Sequence, residues 1–402
     1  MTTDKLTGLP EQIKRITVNA AGQQAGLLTH SSFFSFLCSQ DAMAVSLTMP
    51  NNPAPYNRGA LHPVFTQNLP EGYLRRYILE KLRRYADVDD MYLLALMGAK
   101  GIGHLSYDAG IQLPLAEPIA IGDILHWSGK EKLFPQLLER YYLNGMASGV
   151  QPKVVVSRSA ILQKDVIVKT FDEEFPLLTV NEFVCMKCAE HCGLNTPKVW
   201  LSDDLQHYVV ERFDTDGSGN KIGIEDFATL MGRTGDQKYL GSYENVLKVV
   251  NLNTGSLEQV KEAFKLVAFN CLIGNGDAHL KNFSLQYQPD HTEVGLSPVY
   301  DITHTLIYPT IDNEMALKMR KSKAFPPRHE LVEFAYTAGL SRSLAGKIVD
   351  TLAEGILVSL SNMEEVNAMD GLRNSIEDHL NTVMEKSGIQ SIFRHDKKKK
   401  YK

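Results

Sequence analysis

No apolar run in this chain approaches the roughly 18 residues expected of a membrane span, and the N-terminal MTTDKLTGLPEQIKR lacks the apolar core of a secretory signal. Both absences lead to the expectation of a cytoplasmic protein with no membrane contact. Cysteine is scarce and odd in number, five in 402 residues, with no disulfide-framework spacing, which fits reduced thiols. There is no excess of positive charge: the net charge of −5 gives no general pull toward nucleic acid or acidic lipid. No GxxxxGK[ST] occurs, so the glycines of GAKGIGHLSYD are read as a turn leading into a strand and not as a phosphate-binding loop. No repeat of 20–50 residues is visible.

What remains is a chain long enough for two domains or one two-lobed domain, with an ordinary 44% of hydrophobic residues. SFLCSQDAMAVSLTMP reads as strand material ending at the turn region NNPAPYNRG. LPEGYLRRYILEKLRRYA places Leu74, Ile78, Leu79 and Leu82 at helical spacing. From about residue 145 a small-residue turn runs into VVVSR, followed by the β-branched DVIVKTF. A helix, NEFVCMKCAEHC, then ends at Gly193, and HYVVERF makes another strand. Beyond residue 225 the chain reads as mainly helical, through EDFATLMG, SYENVLKVVNL, SLEQVKEAFKLVAFNCLIG, RSLAGKIVDTLAEGILVSLSNM and SIEDHLNTVMEKSG. The closing RHDKKKKYK is a basic run with the composition of a disordered tail. A β-rich first half followed by a helical second half suggests an α+β, bilobed enzyme.

Two segments imitate metal sites. DTDGSGNKIGIE, Asp214–Glu225, nearly matches the calcium loop of an EF-hand, with Ser218 at the third ligand position. Its entry, HYVVERF, is a strand instead of a helix, position eight is Lys221, and no second copy exists. A hairpin or hinge loop is the better reading. CMKCAEHC offers Cys185, Cys188, His191 and Cys192 at zinc-like spacing, but within a predicted helix, where the three cysteines share one face as buried apolar side chains.

The segment richest in chemistry is IGNGDAHLKNFSL, which crowds Asp277, His279, Lys281 and Asn282 into six residues after an apolar helix. SPVYDITHT follows with Asp301. Asp277 and Asn282 have the D-x4-N spacing of a protein-kinase catalytic loop, where Asp accepts the proton of the attacking hydroxyl while Asn and a later Asp hold magnesium. Upstream, Lys169 sits mid-strand in VIVKTF, where an unpaired ammonium would be costly and a phosphate-pairing one sensible. Glu182 on the next helix is its expected partner. HYVVERF fits a hinge strand meeting adenine, and MASGVQPK a loop over the phosphates. The order loop, Lys, Glu, hinge, D-x4-N, Asp is that of a kinase.

These residues, namely GVQPK, the NE of the following helix, VERFD, EDFATLMG followed by KY, GDAHLKNFSL and SPVYD, together resemble the HipA-type serine/threonine kinases, the toxins of HipA–HipB toxin–antitoxin modules. LHPVFTQNLPEGYLRRYILEKL is similar to their N-terminal subdomain, so the resemblance spans most of residues 40–380. It implies a protein-kinase-like fold: an N-terminal subdomain over 1–140, an ATP-binding subdomain over 141–213, a helical catalytic lobe over 214–388 and a tail over 389–402. It also implies Asp277 as catalytic base, with His279 and Lys281 shaping the loop and Lys281 near the phosphates. Lys169, Gly149, Val150, Gln151, Glu211 and Phe213 would bind ATP, and Asn282 and Asp301 Mg2+. Relatives silence themselves by phosphorylating a serine three residues before the loop glycine; here that position is Met146, leaving Ser148 as the candidate. The implied partners are a protein substrate, with aminoacyl-tRNA synthetases as the known class, and a HipB-type helix-turn-helix antitoxin through which DNA would be contacted. The implied outcome is growth arrest. Two other functions use the same residues: a small-molecule phosphotransferase, whose usual HGDxxxxN has His where Asn275 stands, and a non-catalytic binding module, which would be free to lose Asp277, Asn282, Asp301 or Lys169.

Overall fold

The computed structural model describes residues 10–83, 86–99, 101–111, 119–141, 153–157, 165–171 and 173–385. The chain folds as two compact units, each assembled from separate stretches: the first from the described residues of 1–183, 197–238 and 280–298, the second from those of 184–196, 239–279 and 299–402.

The first unit opens with an antiparallel sheet of β1 (Arg15–Ala20), β2 (Gln23–His30), β3 (Phe34–Cys38), β4 (Tyr56–Arg58) and β5 (Leu105–Asp108), in the order β4-β3-β2-β1-β5. The β1–β2 hairpin turns through Ala21 and Gly22, both at positive φ, the backbone a two-residue hairpin loop requires. Strand β3 stops at Cys38, short of the strand expected through residue 50. The following residues instead form a loop in which Asn51 Nδ2 donates to Ala42 O at 2.7 Å. Between β4 and β5 lie α1 (Pro63–Thr66), α2 (Gly72–Leu82) and α3 (Asp90–Met97). Helix α2 is the helix expected from its spacing, and Ile78 and Leu82 are fully buried. Two further helices, α4 (Ile121–Leu125) and α5 (Leu133–Tyr141), precede a second antiparallel sheet, β6 (Lys153–Ser157), β7 (Asp165–Lys169), β8 (Val199–Leu201) and β9 (Tyr208–Glu211), ordered β6-β7-β9-β8. One hydrophobic core joins the two sheets: Ile16, Val18, Leu28, Phe36 and Phe65 are continuous with Val166, Val168 and Val209. Helix α6 (Leu178–His191) follows β7 and ends at Gly193, whose φ is 71°.

The region after residue 222 is not purely helical. Glu225 and Asp226 close a strand, β10 (Gly223–Asp226), leaving only Phe227–Leu230 as α7. β10 pairs with β11 (Ser284–Tyr287), which pairs with β12 (Gly295–Leu296), both antiparallel. The strand wins over the helical pattern because Glu225 is buried and held from afar. Its carboxylate accepts Ser46 Oγ at 2.6 Å, Leu47 N at 2.7 Å and Tyr287 Oη at 2.6 Å. Such bonds offset the cost of burying a carboxyl group. The pseudo-EF-hand loop is a hairpin turn: Thr215 and Lys221 form a bridge, while the Asp216 carboxylate accepts from Ser218 N and Asn220 N at 2.8 Å each. Asp214 is turned away from the loop interior, onto Arg212, Lys221 and Gly103 N.

The second unit is helical: α8 (Tyr243–Thr254), α9 (Leu257–Ile273), α10 (Arg328–Thr337), α11 (Arg342–Asn362) and α12 (Leu372–Glu385). Ser242 and Asn245 form a reciprocal cap on α8, and Ser256 and Ser341 cap α9 and α11. Cys185 and Cys188 are buried and Cys192 half-buried; burial pushes the Cys188 and Cys192 thiols up to about 11 and about 12. These thiols are packing groups, as expected for one helical face. No helix among the described residues is long and apolar enough to cross a membrane.

Candidate active site

In the first unit, Lys169 ends β7 with its ammonium turned inward. Nζ lies 2.5 Å from Glu182 Oε1 on α6, with side-chain exposures of 6% and 3%. The Tyr208 ring centroid is 5.5 Å from the ammonium. A buried ammonium is tolerable only with such a counter-charge, so the pairing expected between strand and helix is present. Glu211 ends the adjacent strand β9 in register with Val166, and its backbone N–H donates to Lys198 O at 2.9 Å. Phe213 follows, half-buried. Gly149, Val150, Gln151, Ser148 and Met146 lie outside the described residues.

In the second unit, α9 delivers the chain to Asp277. Gly274 terminates the helix at φ 76°, a left-handed conformation that suits glycine, and its α-hydrogen side faces the His304 ring, leaving no room for a Cβ. The loop beyond is fastened residue by residue. Asn275, buried, donates from Nδ2 to Asn270 Oδ1 at 2.6 Å and accepts Asp277 N on its own Oδ1 at 3.1 Å. Gly276 N donates to Thr305 Oγ1 at 2.8 Å, and the Ala278 carbonyl accepts the hydroxyl of buried Tyr243 at 3.0 Å. His279 is buried with its ring edge-on to Tyr239 at 5.1 Å. Asp277 alone of these is exposed, and its Oδ1 accepts the Tyr239 hydroxyl at 3.1 Å.

Asp301 belongs to the same unit and holds φ at 55°, a left-handed backbone uncommon outside glycine and concentrated at functional sites. The residues after it clasp the α9 terminus. Thr305 N donates to Gly274 O at 3.1 Å, and the His304 ring bridges Ile273 O and Ser375 Oγ at 2.7 Å each. Burial holds the His304 imidazole down at about 4, so it is neutral near pH 7 and serves as a fixed strut. Asp301 and Asp277 are thereby borne on two segments that hydrogen-bond directly to each other.

The chain passes from the second unit to the first between His279 and Leu280, so the D-x4-N motif straddles both. Lys281 and Asn282 belong to the first unit, in a single 3-10 turn. Asn282 is buried, and Lys281 Nζ is bonded to Glu71 Oε1. The next residue, Phe283, fixes this turn by accepting Phe227 N on its carbonyl at 2.9 Å. Sequence reasoning assigned no role to Glu71, Tyr239, His304 or Thr305. Tyr239 was visible only as part of the KY dipeptide, and nothing local marks the other three.

The donor chemistry suits a nucleotide carrying a hard cation. Asn282 and Asp301 offer oxygen ligands, which Mg2+ prefers, and Lys169, already oriented by Glu182, is a cation of the kind that meets phosphate. Among the described residues no cluster of three or more His, Cys, Asp or Glu side chains is arranged for a protein-only metal cage.

The HipA N-terminal domain family matches residues 16–108 and the HipA-like C-terminal domain family residues 145–359. The chain is 34% identical over 207 residues to a Sinorhizobium fredii protein named "Putative kinase Y4dM", covering 47% of this chain and 49% of the relative. It is 25% identical over 278 residues to the serine/threonine-protein kinase toxin HipA of Shewanella oneidensis, covering 58% of this chain and 59% of that protein. It therefore spans about half to three-fifths of the length of these two relatives. A solved complex of Shewanella oneidensis HipA, HipB and operator DNA contains a chain that shares the fold, with a TM-score of 0.70 at 19% identity over 91% of this chain and 97% of that one. With the larger family match alone covering more than half of its residues, the chain belongs to the HipA family of kinases.

Proposed function

We propose that the protein is a Mg-ATP-dependent serine/threonine protein kinase acting as the toxin of a toxin–antitoxin pair. The observation that carries this reading is the carboxylate of Asp277. It is exposed at the end of a loop otherwise immobilised by hydrogen bonds, and it already accepts a hydroxyl at 3.1 Å. That is the contact a general base makes with an attacking alcohol.

In this reading Asp277 orients the acceptor serine or threonine and takes its proton as the oxygen attacks. Tyr239 and Asn275 hold that carboxylate in place through its Oδ1 and the Asp277 backbone N–H. Lys169, paired with Glu182, would meet the ATP phosphates, and Glu211 and Phe213 would border adenine. Asn282 and Asp301 would hold Mg2+, which supplies charge neutralisation of the phosphates when bound. Gly149, Val150 and Gln151 would cover the phosphates, with Ser148 as an autophosphorylation site in place of the missing serine at Met146. His279 and Lys281 would support the catalytic loop.

The names of the relatives, a kinase toxin and a HipA–HipB–operator complex, support a toxin role and a HipB-type antitoxin as partner. An aminoacyl-tRNA synthetase as substrate and growth arrest as outcome rest on the resemblance to HipA-type kinases. The net charge of −5 supports DNA contact through that partner and not through this chain alone. The test is incubation with Mg-ATP and purified bacterial aminoacyl-tRNA synthetases, read by phosphopeptide mapping. One synthetase should gain a serine or threonine phosphate with the parent chain and none with Asp277→Ala. Transfer to a hydroxyl-bearing small molecule in preference to any protein would overturn the substrate assignment.

A further inference from the structure

Glu71 stands at the N-terminal boundary of α2, inside the segment matched by the HipA N-terminal domain family. A carboxylate there would ordinarily bond its own helix's first N–H groups. This one makes no such cap. It reaches instead to two lysines distant in sequence: Lys281 Nζ bonds Oε1, and Lys238 Nζ lies 3.9 Å from Oε2. The lysine side chains are 15% and 8% exposed, and that of Glu71 24%. Asp226, half-buried at the N-cap of α7, is a further carboxyl group in the cluster. Burial raises its carboxyl, while the Lys281 charge pulls it down.

The positions of these two lysines give the cluster its meaning. Lys281 immediately precedes Asn282, the proposed Mg2+ ligand. Lys238 immediately precedes Tyr239, whose hydroxyl bonds the proposed base Asp277. A single carboxylate of the N-terminal domain thus restrains both backbone neighbours of two groups assigned to the chemistry. The docking of that domain does not depend on it. Gln67 Nε2 donates to Ile224 O at 3.0 Å, Arg212 Nη2 to Gly101 O at 2.6 Å, and Ser46 and Leu47 hold Glu225.

We propose that Glu71 is a positioning residue for phosphoryl transfer, through which the N-terminal domain sets the placement of Asn282 and Tyr239. This rests on the kinase reading above. Removing its charge leaves two poorly hydrated lysines without this counter-ion and frees the turn that carries Asn282. The loss falls on the rate of transfer more than on nucleotide affinity, because Lys169, the lysine assigned to bind the ATP phosphates, keeps its own partner Glu182.

The experiment uses the full chain as parent, Glu71→Gln, Glu71→Asp, Lys281→Met and the Glu71→Gln/Lys281→Met double variant. ADP formation from Mg-ATP, with the purified aminoacyl-tRNA synthetases present as phosphoryl acceptors, gives kcat and KM, titration with the Mg2+ complex of a non-hydrolysable ATP analogue gives Kd, and thermal melts report folding. Glu71→Gln should lower kcat by about tenfold or more, with KM and Kd moving less than about threefold. Its melting temperature should stay within about 4 °C of the parent. Glu71→Asp should recover part of the rate, and in the Lys281→Met background Glu71→Gln should cost much less than it does alone, as coupled neighbours do. An active parent with an unchanged Glu71→Gln rate, or fully additive losses, would overturn the proposal while leaving the kinase reading intact. Should Glu71→Gln melt far below the parent, Lys281→Met decides: a folded Lys281→Met with the parent's rate and KM also overturns it. A parent that forms no ADP at all would overturn both.

Discussion

At the scale of residues, the site depends on charges that burial makes expensive and geometry makes usable. Lys169 and Glu182 are the plainest case. Replacing Glu182 by Gln strands a buried ammonium, with an expected cost of about 3–5 kcal/mol in urea unfolding, whereas Lys169→Met/Glu182→Gln should recover much of that loss. The double variant should still fail to bind nucleotide, separating the fold's need for a matched pair from the site's need for a cation. Equal stability of Glu182→Gln and parent would remove the pair from the account. His104 shows the opposite economy. It is 4% exposed, and neither ring nitrogen has a hydrogen-bond partner among the described residues. Burial and the nearby His291 hold it down at about 4. Its folded pKa therefore lies below the unfolded value of 6.5, so the stability it permits is fully present above pH 6.5. That stability is lost as pH falls toward 4, because the unfolded chain takes up a proton that the folded chain refuses. His104→Leu removes a buried polar ring from beside Tyr287. It should be near neutral at pH 7.5 and more stable than the parent by about 2 kcal/mol at pH 5. A pH-independent difference between the two chains would contradict the assignment.

At the scale of elements, the loop from Gly274 to Asp277 is a junction of segments packed too closely for ordinary side chains. A Cβ on Gly276 would meet Glu314 O at 2.6 Å and Thr305 Oγ1 at 2.7 Å. Gly276→Ala should consequently displace the Asp301–Thr305 segment, lowering the transfer rate by about a hundredfold and stability by about 1–3 kcal/mol. A crystal structure or a rate showing the loop unmoved would refute this. How far such elements could be read from sequence follows from the range of the forces that make them. Helices α9 and α11 announce themselves through apolar spacing, serine caps and, for α9, a terminal glycine, all within one segment. The D-x4-N spacing and the Lys169 strand were equally local. Strands β8 and β10–β12 were missed because two to four residues carry too little alternation to register as a period. EDFATLMG misled for a physical reason: Glu225 is held in a strand by Ser46 and Leu47, nearly 180 positions away. The Glu71–Lys281 pair spans 210 positions, and no local pattern could have disclosed it.

At the scale of the whole molecule, the two family matches divide the chain at one place and its compact units divide it at others. The first unit binds the N-terminal family domain to the strands and the turn that lead to Asn282, and the second carries Asp277 and Asp301. The D-x4-N motif runs across this division, with Asp277 in the second unit and Asn282 in the first. The pseudo-calcium loop and the cysteine face take no part, one committed to an ion-paired hairpin and the other to packing. The account's central claim is that Asp277 is the base of a Mg-ATP kinase. Its most direct test is the rate of ADP formation from Mg-ATP, with the purified aminoacyl-tRNA synthetases present as acceptors, by the parent and by Asp277→Ala, with nucleotide-analogue binding measured on both. The account predicts Mg2+-dependent turnover that falls by at least about a hundredfold in Asp277→Ala while analogue affinity stays within about threefold. Equal turnover by the two proteins would contradict it.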